Sequence, residues 1–190
     1  AGNNIGIKLA KTDYVLIVNP DTTFESNTLD ELYSASEKID DFTILSPICS
    51  DKNFPNYDIL NKKKDIKENE FFFKVNYVDG FAMILNKQKF PNNDYFDENF
   101  FMYLENNDLC RRVINNNGSI YIASKSKINH LGAQTVNSKY SKEIELSRNW
   151  HWVWSKYYYN KKNFGLLKAI QTCGFTFFSS LIKFLFFLFM

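Results

Sequence analysis

The residues best suited to chemistry lie in three places along the chain. The densest is Phe96–Arg112, FDENFFMYLENNDLCRR, where Asp97, Glu98, Glu105 and Asp108 are set among Phe100, Phe101 and Tyr103 and followed by Arg111 and Arg112. Carboxylates among large rings are costly to desolvate, so such a cluster is either exposed or kept for a task. Glu105 and Asp108 stand at i, i+3 and share one side of a helix that begins there. Near a helix N-terminus the dipole favours their charged form, which suits a proton acceptor or a cation partner. The competing reading is structural: Glu105 or Asn106 caps the helix and Asp108 pairs with Arg111 or Arg112. The second place is Asn19-Pro20-Asp21. It reads either as a strand-ending turn or as a carboxylate holding a hard divalent cation at a strand's end. The third is His130 in INHLG, a metal ligand or a structural histidine. His151, between Trp150 and Trp152, reads as a packing residue.

These residues need a scaffold. Tyr14–Val18 (YVLIV) is a short apolar run rich in β-branched residues and predicts a strand covered on both faces, ended by Pro20. Before it, Ile5, Leu9 and Ala10 recur at helical spacing, and Thr12-Asp13 breaks that helix. Ser26–Lys38 predicts a helix with Thr28 and Glu31 at capping-box spacing and Leu29, Leu32 and Tyr33 facing inward. Phe42–Cys49 predicts a strand broken by Pro47, and Asp51–Glu70 a loop or surface excursion. Phe71–Tyr77 and Phe81–Leu85 predict two strands around Asp79-Gly80, where glycine turns the chain or admits a ligand to the backbone. Asn106–Asn116 predicts a helix with Leu109, Val113 and Ile114 inward and Gly118 as its stop. Ser119–Ala123 follows as a strand and Ile128–Gly132 as an edge or loop. Ser141–Tyr159 predicts a longer helix, with Leu146, Trp150, Val153 and Tyr157 on one stripe and Lys161-Lys162-Asn163 ending it. Helix, strand and turn in this order indicate an α/β sheet, in which ligands gather at the carboxyl ends of strands.

Composition narrows the function classes. The 190 residues suffice for one sizeable core, and a net charge of +2 gives no field for nucleic acid. Arginine occurs only at 111, 112 and 148 among many lysines, which singles those three out for bidentate contacts. Cys49, Cys110 and Cys173 are scattered and odd in number, which reads as reduced thiols in a cytosolic setting. The sequence opens on Ala and stops within an apolar run, which reads as a fragment at both ends. Leu166–Met190 is different in kind: between Ala169 and Met190 only Lys183 is charged, and its apolarity is not confined to one face. That predicts a hydrophobic helix that spans a membrane or lies on it.

Taken in order, GNNIG, YVLIVNPD, VDGFAMIL, FDENFFMYLENNDLCRR and INHLG resemble the family 2 glycosyltransferases of GT-A fold, in particular the rhamnosyltransferase-like branch. The resemblance runs from Ala1 to about Tyr159. It implies a Rossmann-like nucleotide-diphospho-sugar transferase domain over residues 1–160, lacking its first strands, and a membrane-associated tail over 161–190. It implies that Asp21, with His130, holds Mg or Mn beside the donor diphosphate. Asn4, Asn19, Gly80 and Arg111 would bind substrate, and Glu105 or Asp108 would serve as catalytic base. The family's usual Glu-Asp-x-Asp-Leu has Asn106 in second place here, and an amide cannot take that proton. The implied activity is inverting, metal-dependent transfer of a sugar, with rhamnose suggested by the branch. The donor would be a nucleotide-diphosphate sugar and the acceptor a hydroxyl of a lipid-linked or cell-surface glycan, at the cytoplasmic face of the cell membrane. The alternative is a non-catalytic relative that binds nucleotide sugar or glycan as a scaffold. A nucleotidyltransferase would also use strand-end carboxylates, but leaves the acidic aromatic cluster and NHLG without a role.

Overall fold

The computed structural model describes residues 2–51, 53, 55–58, 71–130 and 141–188. It is a mixed α/β structure with five α-helices and a six-stranded sheet. The chain divides into two compact units, one of Ala1–Asp97 with Glu105–Val136 and one of Glu98–Leu104 with Asn137–Met190.

The first unit holds the sheet. Its strands are β1 (Tyr14–Val18), β2 (Thr22–Phe24), β3 (Phe42–Cys49), β5 (Phe72–Val75), β7 (Ala82–Asn86) and β8 (Ser119–His130), with a separate pair β4 (Tyr57–Asp58) and β6 (Tyr77–Val78). The order is β1-β7-β3-β8-β2, with β5 also on β8. β3 and β8 run parallel, and every other described pair is antiparallel. Neighbouring residues on β3 and β7 point to opposite sides, as period two requires. Ile44, Met83 and Leu85 enter one core with Ile7 of α1 (Gly2–Leu9) and Leu109 and Val113 of α3 (Glu105–Asn115). Leu45 and Ile84 enter the other with Leu32 and Ala35 of α2 (Thr28–Ser36). The sheet is thus covered by α1 and α3 on one face and α2 on the other.

Several expectations are corrected here. β1 is covered on both faces only in its middle: Val15 and Ile17 pack into one core and Leu16 against the other, but it ends the strand order, paired to β7, and its end residues Tyr14 and Val18 are exposed. The fully covered strands are β3 and β7, because they lie inside the sheet. β3 runs on through Pro47. Its described pairing to β7 stops at Leu45, so proline's missing N–H costs no ladder bond on that side. On α1 the buried residues are Asn4 and Ile7, while Ile5 and Leu9 face solvent. On α2, Leu29 and Tyr33 are exposed, and Thr28 does not form the expected capping box. Its hydroxyl instead donates to the carbonyls of Glu25 and Lys127, tying α2 to β8. β5, β6 and β7 do not pair with each other; each finds a different partner strand. Most of the 51–70 excursion lies outside the described residues.

α3 ends through a motif close to the expected one. Asn117 takes the left-handed conformation (φ 59°), its N–H donates to Ile114 O at 3.0 Å and that of Gly118 to Val113 O at 2.8 Å, a Schellman closure. Gly118 is needed for space: a Cβ there would lie 2.7 Å from Val113 Cγ1 and 2.8 Å from Thr43 Oγ1. β8 then fuses the two segments read as separate, so His130 ends a twelve-residue strand.

The second unit is built on α4 (Ser141–Phe164) and α5 (Leu166–Leu188). Lys161-Lys162-Asn163 does not end α4; Gly165, at φ 88°, does. Ser155, buried on α4, donates to Met102 O at 2.6 Å, and His151 stacks on Phe101 with centroids 4.4 Å apart. Of the expected stripe, Leu146 and Trp150 remain largely exposed. Among the described residues no helix is long and apolar enough to cross a membrane, so the spanning reading of the C-terminal segment finds no support there.

Candidate functional site

The site grows from the end of β1. The N–H of Asn19 donates to Phe81 O at 2.8 Å, and the Thr22 N–H donates back to Asn19 O at 3.1 Å, closing a tight turn around Pro20 and Asp21. The chain leaves this turn as β2, whose first residue, Thr22, is in register with His130 at the end of β8. Asp21 is thereby held beside the histidine, with Oδ1 3.4 Å from His130 Nε2 and both side chains partly open to solvent. The imidazole lies flat on Phe81, centroids 4.4 Å apart and planes within 3°. Phe81 in turn packs with Ala82 and Ile128 under the sheet's end, so the ring beneath the histidine is fixed.

Gly80, next to Phe81, is where the segment meets α3. A Cβ on Gly80 would lie 3.2 Å from Cβ of Asn106, a contact tight enough to favour glycine. Asn106 is buried, and its Nδ2 donates to the Tyr77 hydroxyl at 2.8 Å and to Val78 O at 3.2 Å. The Tyr77 hydroxyl donates its one O–H to Asp79 Oδ1 at 2.5 Å. Burial, then the hydrogen bond to Asp79 and its charge, push the Tyr77 phenol well above its ordinary value, so it remains a donor at any physiological pH.

Glu105 opens α3, preceded by two residues with left-handed backbone, Tyr103 (φ 69°) and Leu104 (φ 63°). That conformation costs non-glycine residues roughly 1–2 kcal/mol each. Among the described residues, Glu105 Oε2 is buried with no hydrogen-bond partner. Asp108, one turn on, has no exposed side-chain surface and accepts from Arg112 Nε at 2.9 Å. Arg112 also donates to Asp94 Oδ2 at 3.1 Å, to Asp94 O at 2.9 Å and to Tyr95 O. Asp108 is thus paired with Arg112, and together they fasten α3 to the 94–95 segment.

The fold brings Asp21 and His130 into contact, sets Asn19 against Phe81 and stacks Gly80 on Asn106. Residues 79–81 therefore join the Asp21–His130 pair to the start of α3. Asn4 lies elsewhere: its amide donates to Phe96 O at 2.8 Å and accepts from Phe96 N–H at 3.0 Å, holding the chain where the acidic segment begins. Arg111 is half-buried on α3. The residues that sequence reasoning passed over are Tyr77, Asp79 and Phe81. Their only signal was the Asp-Gly pair and its aromatic flanks.

As a cation site, Asp21 and His130 supply one carboxylate oxygen and one imidazole nitrogen, and the described residues contain no group of three metal-ligating side chains. Two protein ligands fit a hard cation that takes its remaining ligands from phosphate and water.

No protein-family model matches the chain. It is similar to the low-salt glycan biosynthesis hexosyltransferase Agl10 of Haloferax volcanii, at 23% identity over 169 residues, covering 77% of this chain and 50% of that protein. The chain thus spans half the length of this relative. Among solved structures it resembles the crystal structure of A197 from STIV, with a TM-score of 0.43 and 10% identity over 64% of this chain and 59% of that one.

Proposed function

We propose that the chain is part of an inverting glycosyltransferase of GT-A fold. It would move a sugar from a nucleotide-diphosphate donor to a hydroxyl of a lipid-linked or cell-surface glycan, with rhamnose the sugar suggested by the family branch it resembles. One observation carries the reading: Asp21 and His130 sit together against Phe81, whose neighbour Gly80 packs on Asn106 at the start of α3, where Glu105 has a buried oxygen lacking a partner among the described residues. The distant hexosyltransferase relative supports the same reaction class.

Asp21 and His130 would hold Mg or Mn, which when bound offsets the charge developing on the departing diphosphate. Glu105 is the better candidate for the base. Its Oε2 can accept the acceptor hydroxyl's proton as the new C–O bond forms, whereas Asp108 is engaged by Arg112 and Asn106 cannot take a proton. Attack opposite the leaving group inverts the anomeric carbon. Asn19, Gly80 and Arg111 would help bind substrate, and Asn4 would act through the Phe96 backbone it holds. Exposed Trp150, Trp152 and Trp154 and Phe175, Phe177 and Phe178 of α5 support peripheral contact with the cytoplasmic face of the cell membrane.

The test is release of nucleoside diphosphate by the full-length protein from a panel of UDP-, GDP- and dTDP-hexoses, dTDP-rhamnose included, with and without Mn²⁺. The expected result is Mn²⁺-dependent release, lowered at least about a hundredfold by Glu105→Gln and abolished by Asp21→Ala. Unimpaired turnover in both variants overturns the assignment. Donor binding without any release by the unmodified protein favours the scaffold reading.

A further inference from the structure

The most distinctive unexplained feature is a groove in the second unit. It lies between α4 and α5, has a volume of about 430 Å³ and is lined wholly by apolar surface, from Trp150, Val153, Trp154 and Tyr157 across to Ile170, Cys173 and Phe177. That volume is typical of small-molecule sites, roughly 300–1,000 Å³. The lining is not a collapsed core: Trp150 is 71% exposed and Phe177 62%. Large rings left open along a groove, rather than scattered singly, mark a surface awaiting an apolar partner.

Charge indicates what kind of partner. Trp150, Trp154, Tyr157 and Lys161 follow one another at i, i+4, i+7 and i+11, so the exposed Lys161 continues the groove-lining stripe toward the turn at Gly165. Lys162 and Lys168 flank the same turn. From Asn149 onward, the described side chains of α4 and α5 include no carboxylate, while Lys156, Lys161, Lys162 and Lys168 are all basic. An apolar trough leading to a lysine-rich end is complementary to an amphiphile with one long chain and an anionic head. Lysine binds phosphate as a point charge, and its stem can lie along the chain.

We propose that the α4–α5 groove is a binding site for a single long-chain lipid phosphate, an isoprenyl or acyl chain lying against Trp150, Trp154 and Phe177 with its phosphate at Lys161. The site uses the second unit alone and does not depend on the sugar-transfer reading.

Two groove tryptophans make the test direct. The full-length protein is titrated with geranylgeranyl monophosphate below its micellar concentration while tryptophan emission is followed. Parallel arms use geranylgeraniol, inorganic phosphate and phosphatidylcholine–phosphatidylglycerol vesicles. The expected result is a saturable blue shift with one lipid phosphate per chain, at least tenfold weaker binding of the alcohol, and no response to inorganic phosphate. Gly174→Leu should weaken binding at least tenfold by filling the groove. The nearest atom to a Cβ there is Ile170 Cγ2 at 3.9 Å, so the backbone tolerates the change. Lys161→Glu, which leaves the groove intact, should remove the preference for phosphate over alcohol. Asp21→Ala should leave the titration unchanged, so this site and the transfer reaction can fail separately. The proposal is overturned by absence of a saturable shift, by full binding in folded Gly174→Leu, or by a response confined to vesicles. It is equally overturned by a lipid-independent dimer that buries the tryptophans.

Discussion

Replacing Asn106 with aspartate keeps the shape of the side chain and turns its two N–H donors into acceptors. In the native protein Nδ2 donates to the Tyr77 hydroxyl at 2.8 Å and to Val78 O at 3.2 Å, and the residue is 8% exposed. An oxygen in that place would confront two oxygens. Tyr77 has one proton, now given to Asp79, and would have to turn it toward the new carboxylate and abandon Asp79. Two lost hydrogen bonds are worth about 1 kcal/mol each, and leaving buried polar groups unsatisfied adds about 1–3 kcal/mol. The Cys110 thiol still approaches Val78 O, at 3.8 Å, which softens the second term. We therefore expect Asn106→Asp to lose about 3 kcal/mol, a large part of the ~5–15 kcal/mol that holds a domain together. Urea unfolding followed by far-ultraviolet circular dichroism at pH 7 measures it. The introduced carboxyl, desolvated and facing a carbonyl, has a folded pKa above its unfolded value of about 3.9. The folded state then binds the extra proton, so stability falls as pH rises through that interval, and the deficit shrinks again in acid. A loss under about 1 kcal/mol at pH 7 with an unchanged m-value, or a deficit independent of pH, would refute this account of Asn106.

Other substitutions test neighbouring parts of the first unit. Gly118→Ala forces a methyl group to within 2.7 Å of Val113 Cγ1 and should cost about 1–3 kcal/mol in thermal or urea unfolding, a loss that Val113→Ala in the same chain partly relieves. Arg112→Met takes the guanidinium from the buried Asp108 carboxylate and should cost about 3 kcal/mol, with Arg112→Lys recovering only part because it cannot reproduce the fork to Asp94 and Tyr95. Burial pushes the Cys110 thiol up to about 12, so it stays protonated across the physiological range. Iodoacetamide labelling read by mass spectrometry should modify the half-buried Cys49 well before Cys110, and equal labelling of the folded protein would contradict the burial.

The limits of β1, β3 and α3 are local matters, and the sequence carried them. An apolar run ended by Asn-Pro, a run of large β-formers, and a helical period closed near glycine each express backbone preferences within a few residues. Which side of an element is buried was not local. Ile5 and Leu9 sit on α1 at helical spacing yet face solvent, because the sheet it packs on meets Asn4 and Ile7 instead. Pro47 reads as a strand breaker, but the β7 ladder ends two residues before it. The candidate site follows the same division. Residue types alone marked Asp21, His130, Gly80 and Glu105, each with a structural alternative beside it. Only the pairing of β2 with β8 carries Asp21 to His130, and only the approach of α3 to the 77–80 segment gives Asn106 its partners and Gly80 its tight contact. Carboxylate, imidazole and amide chemistry belongs to the residue and is legible in one dimension. Proximity between residues far apart in sequence depends on how strands pair and helices pack, and is fixed only when the whole chain has folded.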